Sequence, residues 1–112
     1  MKQFLAPIPL LILLFPSITL GETMDDLMKW EGIYYKKFTD IPFTGKVSGR
    51  TYGAFKNGKW DGPYIHYWKN GQLGEKGNYN DGKREGSWVA YYATGTLWKT
   101  YTGIYKNGKL IK

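Results

Sequence analysis

The run Gly77-Asn78-Tyr79-Asn80-Asp81-Gly82-Lys83 has two near-copies in the chain. They are Gly53-Ala54-Phe55-Lys56-Asn57-Gly58-Lys59 and Gly103-Ile104-Tyr105-Lys106-Asn107-Gly108-Lys109, and all three read G-x-aromatic-x-[N/D]-G-K. Gly53 to Gly77, Gly58 to Gly82, Gly62 to Gly86 and Gly71 to Gly95 are each 24 residues apart, a period that marks internal duplication. The third copy is displaced to 26, which places a two-residue insertion near Tyr101-Thr102. The stretch from Gly62-Pro63-Tyr64 to Gly71-Gln72-Leu73 matches the stretch from Gly86-Ser87-Trp88 to Gly95-Thr96-Leu97, so each unit holds two strands and two turns.

Asn57-Gly58, Asn70-Gly71, Asp81-Gly82 and Asn107-Gly108 accept positive φ, as type I′ hairpin turns require, and Thr94-Gly95 fills the same slot less ideally. Consecutive tight turns imply an antiparallel meander. Alternation along the strand places Trp88, Ala90 and Tyr92 on one face and Val89 and Tyr91 on the other, with Tyr64, His66 and Trp68 set against Ile65 and Tyr67 in the preceding unit. The expected fold is all-β: an open, twisted, single-sheet meander over residues 45–112.

Outside this region the period breaks. Residues 22–44 read as an N-terminal cap: a short helix over Glu22 to Trp30, with Thr23 as N-cap and Asp25 and Asp26 in its first turn, then a strand near Gly32 to Phe38. Its expected role is to cover the first edge of the sheet. Residues 1–21 read as a signal peptide: a positive Met1-Lys2-Gln3, an apolar run interrupted by Pro7, Pro9 and Pro16, and small residues around Thr19-Leu20-Gly21. The run is too short and too kinked for a membrane span, so the mature chain is expected to begin near Glu22, unanchored, in the periplasm or secreted. The chain has no cysteine, which suits a bacterial periplasm and excludes disulfides, thiolate metal sites and a cysteine nucleophile.

Twenty aromatics and 15 glycines in 112 residues fit short aromatic strands joined by turns. The formal charge is +7, and fifteen positive against nine negative side chains leave +6 once Lys2 goes with the leader. Twelve of the positive charges and only four of the negative fall within residues 45–112.

The pattern Tyr/Phe-x-[N/D]-G-K-x-x-G-x-[W/Y]-x-x-[Y/W]-x-x-[N/T]-G-x-L, carried by residues 43–112, resembles the MORN-repeat variant family, bacterial proteins labelled YwqK-family toxin–antitoxin antitoxins. The resemblance implies a meandering β-repeat that binds a partner and catalyses nothing. It also implies an alternative role, that of an antitoxin-like inhibitor of a dedicated toxin.

The chemistry-bearing residues agree with a non-enzymatic reading. The G-x-x-x-x-G-K pattern at Gly53, Gly77 and Gly103 is followed by Trp60, Arg84 and Leu110 rather than by the Ser or Thr a phosphate loop requires. His66 is the only histidine, so no histidine metal pair exists and no metal or other cofactor is expected. Asp61 and Glu85 occupy equivalent turn positions and read as solvated turn charges rather than a glycosidase pair. Two sets of residues are expected to bind: an aromatic face of Tyr64, Trp68, Trp88 and Tyr92, and a basic edge of Lys59, Lys83 and Lys109, which share one position of the period. The edge lysines also protect an open sheet from pairing with other chains. The expected function is an exported interaction module for a protein, an acidic envelope polymer or a lipid headgroup. Nucleic acid is disfavoured by export.

Overall fold

The computed structural model describes residues 21–112, and the signal-peptide expectation for residues 1–21 lies outside them but for Gly21. The chain is all-β. Strands β1 (Glu22–Thr23), β4 (Gly45–Ser48), β5 (Thr51–Lys56), β6 (Lys59–Trp60), β7 (Gly62–Tyr67), β8 (Leu73–Asn80), β9 (Lys83–Ala90), β10 (Gly103–Lys106) and β11 (Lys109–Leu110) form one nine-stranded sheet. Its order is β1-β4-β5-β7-β8-β9-β10-β11, with β6 also paired to β5. All pairs are antiparallel but for β1 beside β4. Strands β2 (Leu27–Trp30) and β3 (Ile33–Lys36) form a separate hairpin.

This hairpin corrects the helix expected over Glu22 to Trp30. Asp26 does accept the Thr23 backbone N–H (2.8 Å), but only a single 3₁₀ turn, Met24–Asp26, follows. Glu31 and Gly32 then adopt φ of 49° and 82° and reverse the chain into β3, which satisfies the backbone groups of both strands as so short a helix cannot. The hairpin lies against the first part of the sheet, where Tyr34 packs on Phe55 and Trp60 with ring centroids 4.8 and 5.9 Å away. Leu27, Val47 and Phe55 are the buried centre there, flanked by Met24, Phe43 and Trp60. The cap therefore covers part of one face as well as the first edge.

Three turns share one backbone geometry. Asn57, Asp81 and Asn107 all have φ of 52°, and Gly58, Gly82 and Gly108 have φ of 81°, 84° and 83°, the type I′ arrangement. The turns at the opposite ends of the strands differ. Gly71 N–H donates to the Trp68 carbonyl and Trp68 N–H to the Gln72 carbonyl, and Gly95, Tyr92 and Thr96 repeat the pattern. Only Gly71 and Gly95 take positive φ, so these are three-residue loops, and Thr94 is tolerated because its position needs none. The two extra residues of the displaced third copy fall beside a 3₁₀ turn at Lys99–Tyr101.

Two glycines of the period are filled by aromatic rings. A Cβ on Gly77 would lie 2.1 Å from Cδ2 of Trp88, and one on Gly53 would lie 2.6 Å from Cζ3 of Trp60. Each glycine leaves the hole that a neighbouring indole covers, and the rings form a continuous row, stacked between Phe55 and Trp60 and edge to face from Trp60 through Tyr64, Tyr79 and Trp88 to Tyr105.

Candidate functional site

The I′ turns stack on one another along one edge of the sheet. Gly58 N–H donates to the Phe43 carbonyl (2.7 Å), Gly82 N–H to the Trp60 carbonyl (2.7 Å) and Gly108 N–H to the Arg84 carbonyl (3.0 Å). Side chains reinforce the stack: the backbone N–H groups of Asn57, Asp81 and Asn107 donate to Thr44 Oγ1, Asp61 Oδ1 and Glu85 Oε1 at 2.9, 3.0 and 3.1 Å. Asp61 and Glu85 are therefore acceptors that hold the next turn in place, not free turn charges.

Stacked turns align the lysines that follow them. The stem of Lys59 lies 3.5 Å from the Cβ position of Gly82, and that of Lys83 lies 3.6 Å from the Cβ position of Gly108. Lys59, Lys83 and Lys109 thus form the expected row. Its opposing charge is slight, since Asp81 is 79 % exposed and stands 4.0 Å from Lys59 Nζ.

Between this row and the β2–β3 hairpin runs an open groove of about 570 Å³. Tyr34, Trp60, Tyr64 and Tyr79 line it together with Lys29, Lys59 and Lys83, Thr51 and His66, and one carboxylate, Asp81. His66 Nδ1 and Thr51 Oγ1 are 2.9 Å apart, a satisfied strand histidine. Burial, helped by the neighbouring Tyr79 and Glu75, pushes the Tyr64 phenol above its ordinary range, and burial raises Tyr79 despite the opposing Arg84. Both rings are neutral hydrogen-bonding and stacking surfaces at neutral pH.

Below the groove Arg84 takes the place that Trp60 holds one period earlier. Its guanidinium lies 4.2 Å from the Trp88 ring and 5.4 Å from Tyr105, and it is paired to Glu75 at 2.5 Å. Burial works against its charge, but the Glu75 hydrogen bond and carboxylate more than offset it and hold the guanidinium above its ordinary pKa. This pair is internal cement for the row of rings.

The expected aromatic face does not form one platform. Tyr64 lies in the groove and meets Trp88 at 5.6 Å, but Trp88 is only 3 % exposed and is core. Trp68 sits at the opposite ends of the strands with its indole N–H on the Tyr91 carbonyl (2.9 Å), and Tyr92 stacks on Trp98 at 4.7 Å. A register shift between His66 and Tyr67, and the end of β9 at Ala90, take both residues out of the row. Tyr34, Trp60, Tyr79 and Lys29 were not singled out by the sequence. The motif's own aromatic position, held by Tyr79, was the available signal.

Among the described residues no group of three His, Cys, Asp or Glu side chains is placed to hold a metal, and no helix is long and apolar enough to cross a membrane. Comparison with protein-family models, with curated proteins and with solved structures gives no match.

Proposed function

We propose that the chain is a non-enzymatic binding module, built of MORN-like repeats and exported by its leader, that holds an acidic partner in the groove between the β2–β3 hairpin and the lysine row. The observation that carries this reading is the convergence of Lys29, Lys59, Lys83 and four aromatic rings on one open groove, with Lys109 continuing the row beyond it. Lysine ammonium groups attract anions over about 8 Å at physiological ionic strength, and the rings supply apolar contact that salt does not screen. The net +8 of residues 45–112 favours an acidic partner as well.

Titration of the chain with polygalacturonate and with polyglutamate, at several salt concentrations, tests the reading. Binding of either polymer, with a salt dependence flattened in a Lys59→Gln, Lys83→Gln, Lys109→Gln triple variant, is the expected result. A triple variant that binds as the parent does but aggregates more readily assigns the lysines to protection of the sheet edge and refutes the proposal.

A further inference from the structure

The lysine row has a fixed pitch, and the pitch selects a ligand. Lys59 stands on the line of β7, Lys83 on β9 and Lys109 on β11, so successive lysines are two strands apart. At about 4.8 Å between neighbouring strands, the ammonium stems repeat every ~10 Å and span ~20 Å in all. The stacked backbone and the Asp61 and Glu85 side chains hold this pitch, because each turn is bonded to the one before it. Flexible lysine tips adjust the contact, but the stems do not drift.

We infer that the groove and row take an extended acidic polysaccharide that carries one anionic group on every second sugar. This rests on the proposed function above and narrows it. In an extended β-linked chain two sugar rises match the pitch of the row, so every second residue presents its carboxylate to a lysine while the intervening neutral sugar lies unopposed. The partly exposed rings of Tyr34, Trp60, Tyr64 and Tyr79 face the same groove and offer surfaces to the flat C–H faces of sugar rings, contacts that a polyphosphate of equal charge lacks. A polymer charged at every residue would leave half its anions without a lysine opposite.

The test uses the full chain and four probes of matched length: oligosaccharides alternating a uronate with an N-acetylhexosamine, oligogalacturonate, polyglutamate and single-stranded oligothymidylate. The alternating oligosaccharides are expected to bind most tightly, with affinity rising until the chain spans the ~20 Å from Lys59 to Lys109 and then levelling. Lys83→Gln is expected to weaken them about threefold, the scale of one exposed ion pair. Lys69→Gln, away from the row, is expected to leave binding unchanged. Polyglutamate or oligothymidylate binding as tightly as the alternating sugar overturns the polysaccharide inference and leaves the acidic-partner reading standing. Oligogalacturonate binding more tightly overturns the pitch. Failure of all four probes overturns the inference and the proposed function together.

Discussion

Replacing Gly77 with alanine isolates the packing rule that shapes the sheet. Gly77 does not have positive φ, so alanine brings no backbone strain, but its Cβ would stand 2.1, 2.3 and 2.5 Å from Cδ2, Cε2 and Cγ of Trp88. Ordinary carbon contact begins near 3.5 Å, so the indole must move by more than ~1 Å. Trp88 has little room: it is 3 % exposed, its N–H donates to the Asn78 carbonyl at 2.9 Å, and Arg84 lies on its face. Displacing it costs about 2 kcal/mol of overpacking and about 1 kcal/mol of lost hydrogen bond, or about 3 kcal/mol together. At 4–8 °C per kcal/mol for a domain of this size, Tm is expected to fall by ~15 °C. Gly71→Ala is the control. Gly71 has φ of 87° with nothing near its Cβ position, so alanine there costs only left-handed strain, ~1 kcal/mol. Thermal melts followed by near-ultraviolet circular dichroism, which reports the aromatic row, compare the two. A Gly77→Ala protein that melts with Gly71→Ala, or with the parent, would refute the idea that the period-24 glycines are seats for rings.

Glu75→Gln leaves the half-buried Arg84 charged among Trp88 and Tyr105 and is expected to destabilise by about 1–2 kcal/mol in urea titration, while Glu75→Gln with Arg84→Met recovers much of the loss; a double variant as weak as the single contradicts the pairing. Tyr64 and Tyr79 hold their protons more tightly folded than unfolded, so their contribution to stability is intact below about pH 10, the unfolded phenol value, and is lost as pH rises through the folded pKa values. Absorbance at alkaline pH is expected to show two of the tyrosines ionising late, and Phe in place of both removes the late phase. N-terminal sequencing of protein from its native host is expected to begin near Glu22, and an intact Met1-Lys2 start contradicts export.

What was legible in the sequence was local. Asn57-Gly58, Asp81-Gly82 and Asn107-Gly108 announce their turns because few side chains tolerate φ near 52°, and the shared motif position, 24 residues on from Lys59 to Lys83 and 26 from Lys83 to Lys109, puts the three lysines in a row. The β2–β3 hairpin was hidden because Glu31 takes the left-handed position that Asn or Asp occupies elsewhere, and because Thr23 with Asp26 imitates the start of a helix. The groove was only half visible. Tyr34 reaches it through the hairpin, and Trp68 and Tyr92 leave the row through a register shift and a strand end, neither of which alternation reports. Asp61 and Glu85 looked idle because the N–H groups they accept lie 20 and 22 residues further along the chain.

The five tryptophans give the most direct test of the binding account, since each indole N–H has its own proton–nitrogen resonance and only Trp60 lines the groove. Trp68 and Trp88 are engaged with the carbonyls of Tyr91 and Asn78, Trp98 stacks with Tyr92, and Trp30 stands on the hairpin at 61 % exposure. On titration with the alternating acidic oligosaccharide, the Trp60 resonance is predicted to shift progressively and to saturate, while Trp68 and Trp98 hold still. Saturating shifts at Trp98 or Trp30 with Trp60 unmoved would place the partner elsewhere on the molecule and contradict the groove.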